Sequence, residues 1–247
     1  MAFGGAMRRV LRRFGLDVVY YRRDTHPDAR RSALLVGERI SLVFDVGANT
    51  GQFGKSLRRL GYKGRIISFE PLAEPYRTLR DSAARDREWM FVHAAVGAED
   101  GEAEINVAAD SATSSLLSTT AALTSAVPRA RVVERQKTKI VRLDSVFGQF
   151  AAPGDCIYLK VDTQGYERFV LDGAERSLPG IVLVQLEMSL IPLYAGEALL
   201  AETLAAMERR GFRLVNLEET FADPRSGHLL QIDGTFVNTH LKHGGDS

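Results

Sequence analysis

The stretch Val43-Phe44-Asp45-Val46-Gly47-Ala48-Asn49-Thr50-Gly51-Gln52-Phe53 constrains this chain more than any other. Residues 41–46 form an apolar run long enough for a buried strand and too short for a helix. The run stops at Gly47, a second glycine follows at Gly51, and Phe53, Leu57 and Leu60 then recur on one helical face. The stretch therefore reads as strand, glycine turn, helix. Glycines at these two places allow strained dihedrals and let a ligand lie against bare backbone at a helix N-terminus. A second apolar run, Ile66-Ile67-Ser68-Phe69, ends nineteen residues after Gly51 in Glu70. An acid at that distance, closing the second strand, is placed to hydrogen-bond a ribose hydroxyl pair. The expectation is a nucleotide-like cofactor.

The turn narrows the choice. A dinucleotide fingerprint reads G-x-G-x-x-G, whereas this turn reads Gly47-x-Asn49-x-Gly51 with Asp45 two residues upstream. It also lacks the Lys-Ser/Thr of a phosphate loop. An acidic, glycine-lined turn suits a ligand with a cationic end, such as the amino and sulfonium groups of S-adenosylmethionine. Two further motifs follow in order, Phe69-Glu70-Pro71 and Leu159-Lys160-Val161-Asp162-Thr163-Gln164-Gly165-Tyr166-Glu167. With Phe44–Gly51 they resemble the FkbM family of class I S-adenosylmethionine-dependent methyltransferases, over about residues 40–187.

That resemblance implies an α/β, Rossmann-like class I methyltransferase fold: a mostly parallel seven-stranded sheet with helices on both faces. It implies S-adenosylmethionine as cofactor and a hydroxyl acceptor on a small molecule or glycolipid, often a sugar of a glycolipid, polysaccharide or secondary metabolite. The expected cofactor-binding residues are Asp45, Gly47, Asn49, Thr50, Gly51, Gln52, Glu70, Pro71 and Ala95. Thr113-Ser114-Ser115-Leu116 looks like a Ser-rich segment of the family. The family usually carries a second acid where this chain has Gln164.

Composition bounds the partners. The 247 residues carry a net charge of +1, which gives no global signature of a nucleic-acid binder. The charge is unevenly spread: residues 1–31 hold eight Arg and three Asp, and the remainder is net −4. The single cysteine, Cys156, fits a reducing compartment. No run of about 18 uncharged apolar residues occurs, and residues near the start lack the apolar core of a signal peptide. A cytoplasmic protein is expected.

Residues 1–40 read as an N-terminal helical extension, and 41–247 as the methyltransferase domain with a lid-like insert at about 102–143. Met7, Val10, Leu11 and Phe14 fall at helical spacing among arginines. Such a segment can lie on an anionic membrane surface, so residues 1–31 bound any peripheral membrane contact. The reading favours instead a helix packed over the domain or lining the substrate cleft. A second helix is expected from Pro27 to Glu38.

Strands are expected at 41–46, 65–70, 90–96, 156–161 and 181–186, with extra strands at 103–107 and 138–143 and a final pair at 212–217 and 229–237. The resemblance makes that pair a reversed one at a sheet edge. Asp144 is expected to cap a helix, and His93 to be a core residue of the third strand.

Asp162 ends the fourth expected strand and Glu187 the fifth, where ligands of such sheets gather. Methyl transfer to an alcohol needs alignment and a proton acceptor, so Asp162 and Glu187 are the candidate catalytic residues. Asp162 could instead organise helix amides at 164–166. The pair could also share a hard divalent cation such as magnesium, although Gln164 removes a charge. Lys160, inside a strand, calls for an ion pair. Two other functions remain open at this stage: a nucleic-acid methyltransferase, disfavoured by charge, and a cofactor-binding scaffold without turnover.

Overall fold

The computed structural model describes residues 3–241, with side chains from residue 7 onward; the last residues of the expected 41–247 domain lie outside that range. Two helices come first, α1 (Phe3–Arg12) and α2 (Pro27–Gly37). Pro27 opens α2, where its missing N–H costs nothing, and His26 caps it by accepting from the Asp28 amide.

The chain then alternates strand and helix: β1 (Leu42–Val46), α3 (Gln52–Arg59), β2 (Arg65–Phe69), α4 (Ala73–Ala83), β3 (Trp89–Val92). After an inserted section come α6 (Leu143–Phe150), β7 (Ile157–Val161), α7 (Glu167–Asp172), β8 (Ile181–Ser189), α8 (Leu200–Arg209), β9 (Phe212–Ala222) and β10 (Leu229–Asn238). The seven strands of the main sheet are ordered β3-β2-β1-β7-β8-β10-β9. All neighbours are parallel except β10, which runs against both β8 and β9. This is the doubly wound α/β sheet expected from alternating elements. The last pair is reversed in order, with the later strand on the inside, and only β10 is reversed in direction.

Strand alternation divides the core. Phe44, Val46, Leu159 and Val161 face α6, α7 and α8, while Val43, Tyr158, Ile66 and Leu183 face α2, α3 and α4. Helices thus cover both faces, and strands buried on both sides need apolar runs rather than alternation.

Four expectations are corrected. The apolar run 90–96 is not one strand: β3 ends at Val92, and a bend closed by the Ala94 amide on the Val92 carbonyl leads to β4 (Ala95–Val96). β4 pairs with β6 (Val132–Val141), which also pairs antiparallel with β5 (Gly101–Ala108), in a separate three-stranded sheet. His93 sits at this break, exposed, stacked on Tyr76 with ring centroids 4.5 Å apart. Asp144 is not an N-cap, because α6 begins one residue earlier with Arg142 in the cap position. Its buried carboxylate instead accepts from the Ser177 amide and hydroxyl at 2.9 and 2.7 Å, tying α6 to the loop before β8. Finally, β8 does not end at Glu187 but continues to Ser189.

Between β5 and β6 the chain forms a short 3₁₀ turn at Ser111–Thr113 and α5 (Ala121–Ala126). This segment is packed: Leu123 and Ala130 are buried with Leu193, Tyr194 and Leu230. α1 and the residues after it contrast with this, since every side chain from Arg12 to Thr25 is exposed. The expected packing of this segment over the domain is not observed.

Candidate active site

β1 delivers the chain to a turn in which Gly47, Asn49 and Gly51 have φ of +76°, +48° and +87°. At Gly47 the requirement for glycine is steric as well as conformational: a Cβ there would lie 1.8 Å from the Asp162 carbonyl oxygen. The amides of Gly47 and Ala48 donate to the Phe69 carbonyl at 3.1 and 3.0 Å, which locks the turn to the end of β2. Glu70 completes the lock. Its Oε2 accepts from the Asn49 amide at 2.7 Å and its Oε1 from the Leu72 amide at 2.8 Å. Burial pushes the Glu70 carboxyl up to about 7, against the pull of those two amides.

A cavity of about 370 Å³ opens beyond the carboxyl ends of β1, β2 and β7, the place where doubly wound sheets bind ligands. Of the residues singled out in the sequence, Gly47, Asn49, Gln52, Glu70, Pro71, Ala95 and Asp162 meet on its wall. Ser111, Ser114, Ser115 and Leu116 of the insert form the opposite side, and Asn49 Nδ2 reaches Ser111 Oγ at 3.3 Å. Thr50 and Gly51 stand behind the wall: the Thr50 carbonyl accepts from Lys55 Nζ at 2.8 Å, and Gly51 starts α3 against Leu79 and Trp89.

Asp45 lies beneath the floor and is fully buried. It accepts from Ser68 Oγ at 3.0 Å, and its Oδ1 is 3.4 Å from Lys160 Nζ, an ion pair without hydrogen-bond alignment. Lys160 therefore supplies the positive partner. It also pairs with Asp162 at 3.3 Å, so the ion pair expected for Lys160 is a double one. Burial pulls the Lys160 ammonium down, but Asp162 and Asp45 outweigh it and hold it above its usual value.

Asp162 reaches the cavity with a side chain 36% exposed. Of the amides at 164–166 offered to it as an alternative, that of Gly165 donates to another acid, Glu167, at 3.3 Å, and Glu167 also accepts from Thr163 N at 2.7 Å. Asp162 Oδ1 accepts instead from Gln164 Nε2 at 2.8 Å, and the same Nε2 donates to Glu187 Oε2 at 2.6 Å. Tyr194 Oη donates to Gln164 Oε1 at 2.6 Å, and Ser115 Oγ to the Gln164 carbonyl at 2.7 Å. Gln164 holds φ +57°, an uncommon state for a side-chain-bearing residue. Glu187 stands off the cavity wall, its Oε2 also held by Gln231 Nε2 at 2.9 Å. Burial first, and then the charges of Asp162 and Asp233, push its carboxyl well up.

This donor set does not fit a divalent cation shared by Asp162 and Glu187. An amide NH₂ occupies the space between the two acids, and the Lys160 ammonium sits on Asp162. Among the described residues no group of three or more His, Cys, Asp or Glu is placed to hold a metal ion.

Three wall residues, Arg31, Gln185 and Asp233, come from parts of the chain that sequence spacing does not connect. Arg31 on α2 pairs with Glu218 at 2.7 Å. Gln185 on β8 donates to Asp233 Oδ2 on β10 at 2.7 Å, and burial raises the Asp233 carboxyl to about 7. Gln164 was visible only as a missing charge. A glutamine before Gly165, in a turn leaving a strand, is the sole sequence signal of its conformation.

Burial makes a solution prediction. Glu70, Glu167 and Asp233 each titrate near 7 in the folded chain, above the ordinary carboxyl value. Between the unfolded and folded values the folded state binds more protons, so stability falls as pH rises through that window. The cofactor-free protein should lose thermal midpoint steadily between about pH 5 and 8, read by scanning fluorimetry. A midpoint that rises across that range contradicts the assignment.

No curated protein matches the chain. Among solved structures, fibrillarin pre-rRNA processing protein of Methanococcus jannaschii aligns with 11% identity and TM-score 0.47, over 87% of this chain and 76% of that one. The 1,6-didemethyltoxoflavin-N1-methyltransferase of Burkholderia thailandensis, with S-adenosylhomocysteine bound, aligns with 14% identity and TM-score 0.46, over 95% and 84%. A TehB-like SAM-dependent methyltransferase of Corynebacterium glutamicum aligns with 15% identity and TM-score 0.39, over 94% and 95%. The family described as Methyltransferase FkbM domain matches residues 45–214, more than half of the chain. Glycine turn, acid-closed second strand and Asp162 all fall within that match, and the chain belongs to the FkbM family of S-adenosylmethionine-dependent methyltransferases.

Proposed function

We propose that this chain is an O-methyltransferase acting on a hydroxyl of a polar acceptor, a sugar in a glycolipid, polysaccharide or secondary metabolite. The observation that carries the reading is the juxtaposition of Asp162 with the hydrogen-bonding side chains Gln164, Gln185 and Asp233 on the wall of one cavity. A polyhydroxylated acceptor finds hydrogen-bonding groups along such a wall, whereas an apolar one would strip water from them without replacing it.

The cofactor, when bound, supplies a methyl group on a positively charged sulfur. In this reading Gly47, Asn49, Thr50, Gly51 and Gln52 shape the turn that receives it, supported from below by Asp45. Glu70 accepts from ribose hydroxyls through its remaining lone pairs, and Pro71 and Ala95 line the adenine side. Asp162 receives the hydroxyl proton as the oxygen attacks. Glu187 acts through Gln164, whose amide fixes the separation of the two acids. Residues 1–40 are an extension that contributes Arg31, and 102–143 form the cover over the cavity. The reaction takes place in the cytoplasm; among the described residues no helix is long and apolar enough to cross a membrane.

Incubation with S-adenosylmethionine and a panel of glycosides tests the acceptor class. The expected product is heavier by one methyl in place of hydrogen, with S-adenosylhomocysteine released in equal amount. Turnover confined to amino acceptors or RNA overturns the hydroxyl assignment. For the cofactor, calorimetry should show binding of S-adenosylhomocysteine and none of NAD, because the turn lacks the third glycine of the dinucleotide motif.

A further inference from the structure

The segment between α1 and α2 carries apolar surface that no part of the described fold covers. Met7 and Val10 on α1 are 56% and 53% exposed, and Phe14, Leu16, Val18 and Tyr20 after it are between 56% and 76% exposed. Single exposed apolar side chains are ordinary, but a run of this kind within one short stretch marks an interaction surface.

Charge identifies what it meets. Residues 7–23 contain six Arg and one acid, Asp17, while the chain beyond residue 31 is net acidic. Asp17 is already engaged by Arg8 and Arg12 at 3.0 and 2.9 Å. Among the described residues, Arg9, Arg13 and Arg23 show no ion pair, and Arg22 lies over the Tyr20 ring at 4.9 Å. A second copy of the chain docked face to face would bring these cations against their counterparts. An anionic lipid surface accepts both components at once: headgroups neutralise the guanidinium groups, and the acyl boundary takes the apolar and tyrosine side chains. Among the described residues no helix is long and apolar enough to cross a membrane, and the contact proposed is a shallow one.

We propose that residues 7–23 are a docking surface for an anionic lipid bilayer. The inference is independent of the acceptor and of turnover, since none of these residues lines the cavity.

Flotation of the full chain tests it, using vesicles of phosphatidylcholine alone or mixed with phosphatidylglycerol. The protein should float with the mixed vesicles at about 0.1 M salt and leave them at about 1 M, where charges are screened. Replacing Arg9→Ala together with Arg13→Ala should weaken binding about 30-fold, at about 1 kcal/mol per basic residue. Leu16→Ser with Val18→Ser should weaken it as well. Both pairs are exposed, so thermal midpoint and S-adenosylhomocysteine affinity should match the parent. Absence from mixed vesicles, equal binding to neutral vesicles, or unchanged binding in either variant overturns the proposal. So does a dimer in sedimentation that Leu16→Ser with Val18→Ser dissociates in the absence of lipid binding.

Discussion

Asp162→Asn should lower turnover by about 10²–10⁴-fold, the usual range for a lost general base, with cofactor affinity within a few-fold of the parent. The carboxylate faces the cavity at the carboxyl end of β7, beside β1, and is the most accessible acid of the Asp45–Lys160–Asp162 chain. The hydroxyl proton must be accepted as the new bond to carbon forms, and an amide accepts it poorly. The substitution also has a structural cost. An asparagine can turn its oxygen toward Lys160 or toward Gln164 but not toward both, so a modest fall in thermal midpoint accompanies it. Measuring single-turnover rate, affinity and midpoint on one preparation separates the roles. A normal rate with a lowered midpoint makes Asp162 a scaffold for Lys160 and removes it from the chemistry. Chelator belongs in the same experiment, and wild-type turnover should survive it, because an amide stands where a shared cation would sit.

Gly47→Ala should weaken cofactor binding by about 30- to 10³-fold. The added Cβ would fall 1.8 Å from the carbonyl oxygen and 2.9 Å from the carbonyl carbon of Asp162. Backbone at a strand end cannot move aside as a flexible side chain does, and φ of +76° is itself unfavourable for alanine. Overpacking and backbone strain together cost about 2–4 kcal/mol, about 30- to 10³-fold in affinity. The clash pushes the turn away from β7, so the two halves of the site separate. Gly180→Ala is the control, since nothing lies within 4 Å of a Cβ there. Calorimetry with S-adenosylhomocysteine reads both variants, and unchanged affinity in Gly47→Ala would sink the account of the turn.

Much of this was legible in local pattern. The strand–turn–helix at 43–53 and the acid at Glu70 are read from short apolar runs that stop at glycine or carboxylate. The double winding follows from the alternation after them. Errors arose where one local signal served two structures. Residues 90–96 are apolar apart from His93, yet the chain changes sheets at His93-Ala94, and hydrophobicity does not register a change of partner. Asp144 has the composition of a cap, but its oxygens answer Ser177 across the fold. Gln164 looked like a lost charge, because its two carboxylate partners and Tyr194 are assembled only by the sheet and the loop after β8. Arg31 and Asp233 reach the cavity from opposite ends of the chain, and no periodicity reports such meetings.

The position of β10 also fixes an order of assembly. β9 has β10 as its sole neighbour in the sheet, and β10 lies between it and β8. The edge strand cannot join the sheet until the segment translated after it has been inserted. A nascent chain ending before Leu229 thus lacks two strands and the Asp233 wall together, even with the cofactor turn already synthesised. Asp233 on β10 is the last cavity-wall residue to be synthesised, so the wall is complete only once β10 has been inserted between β8 and β9.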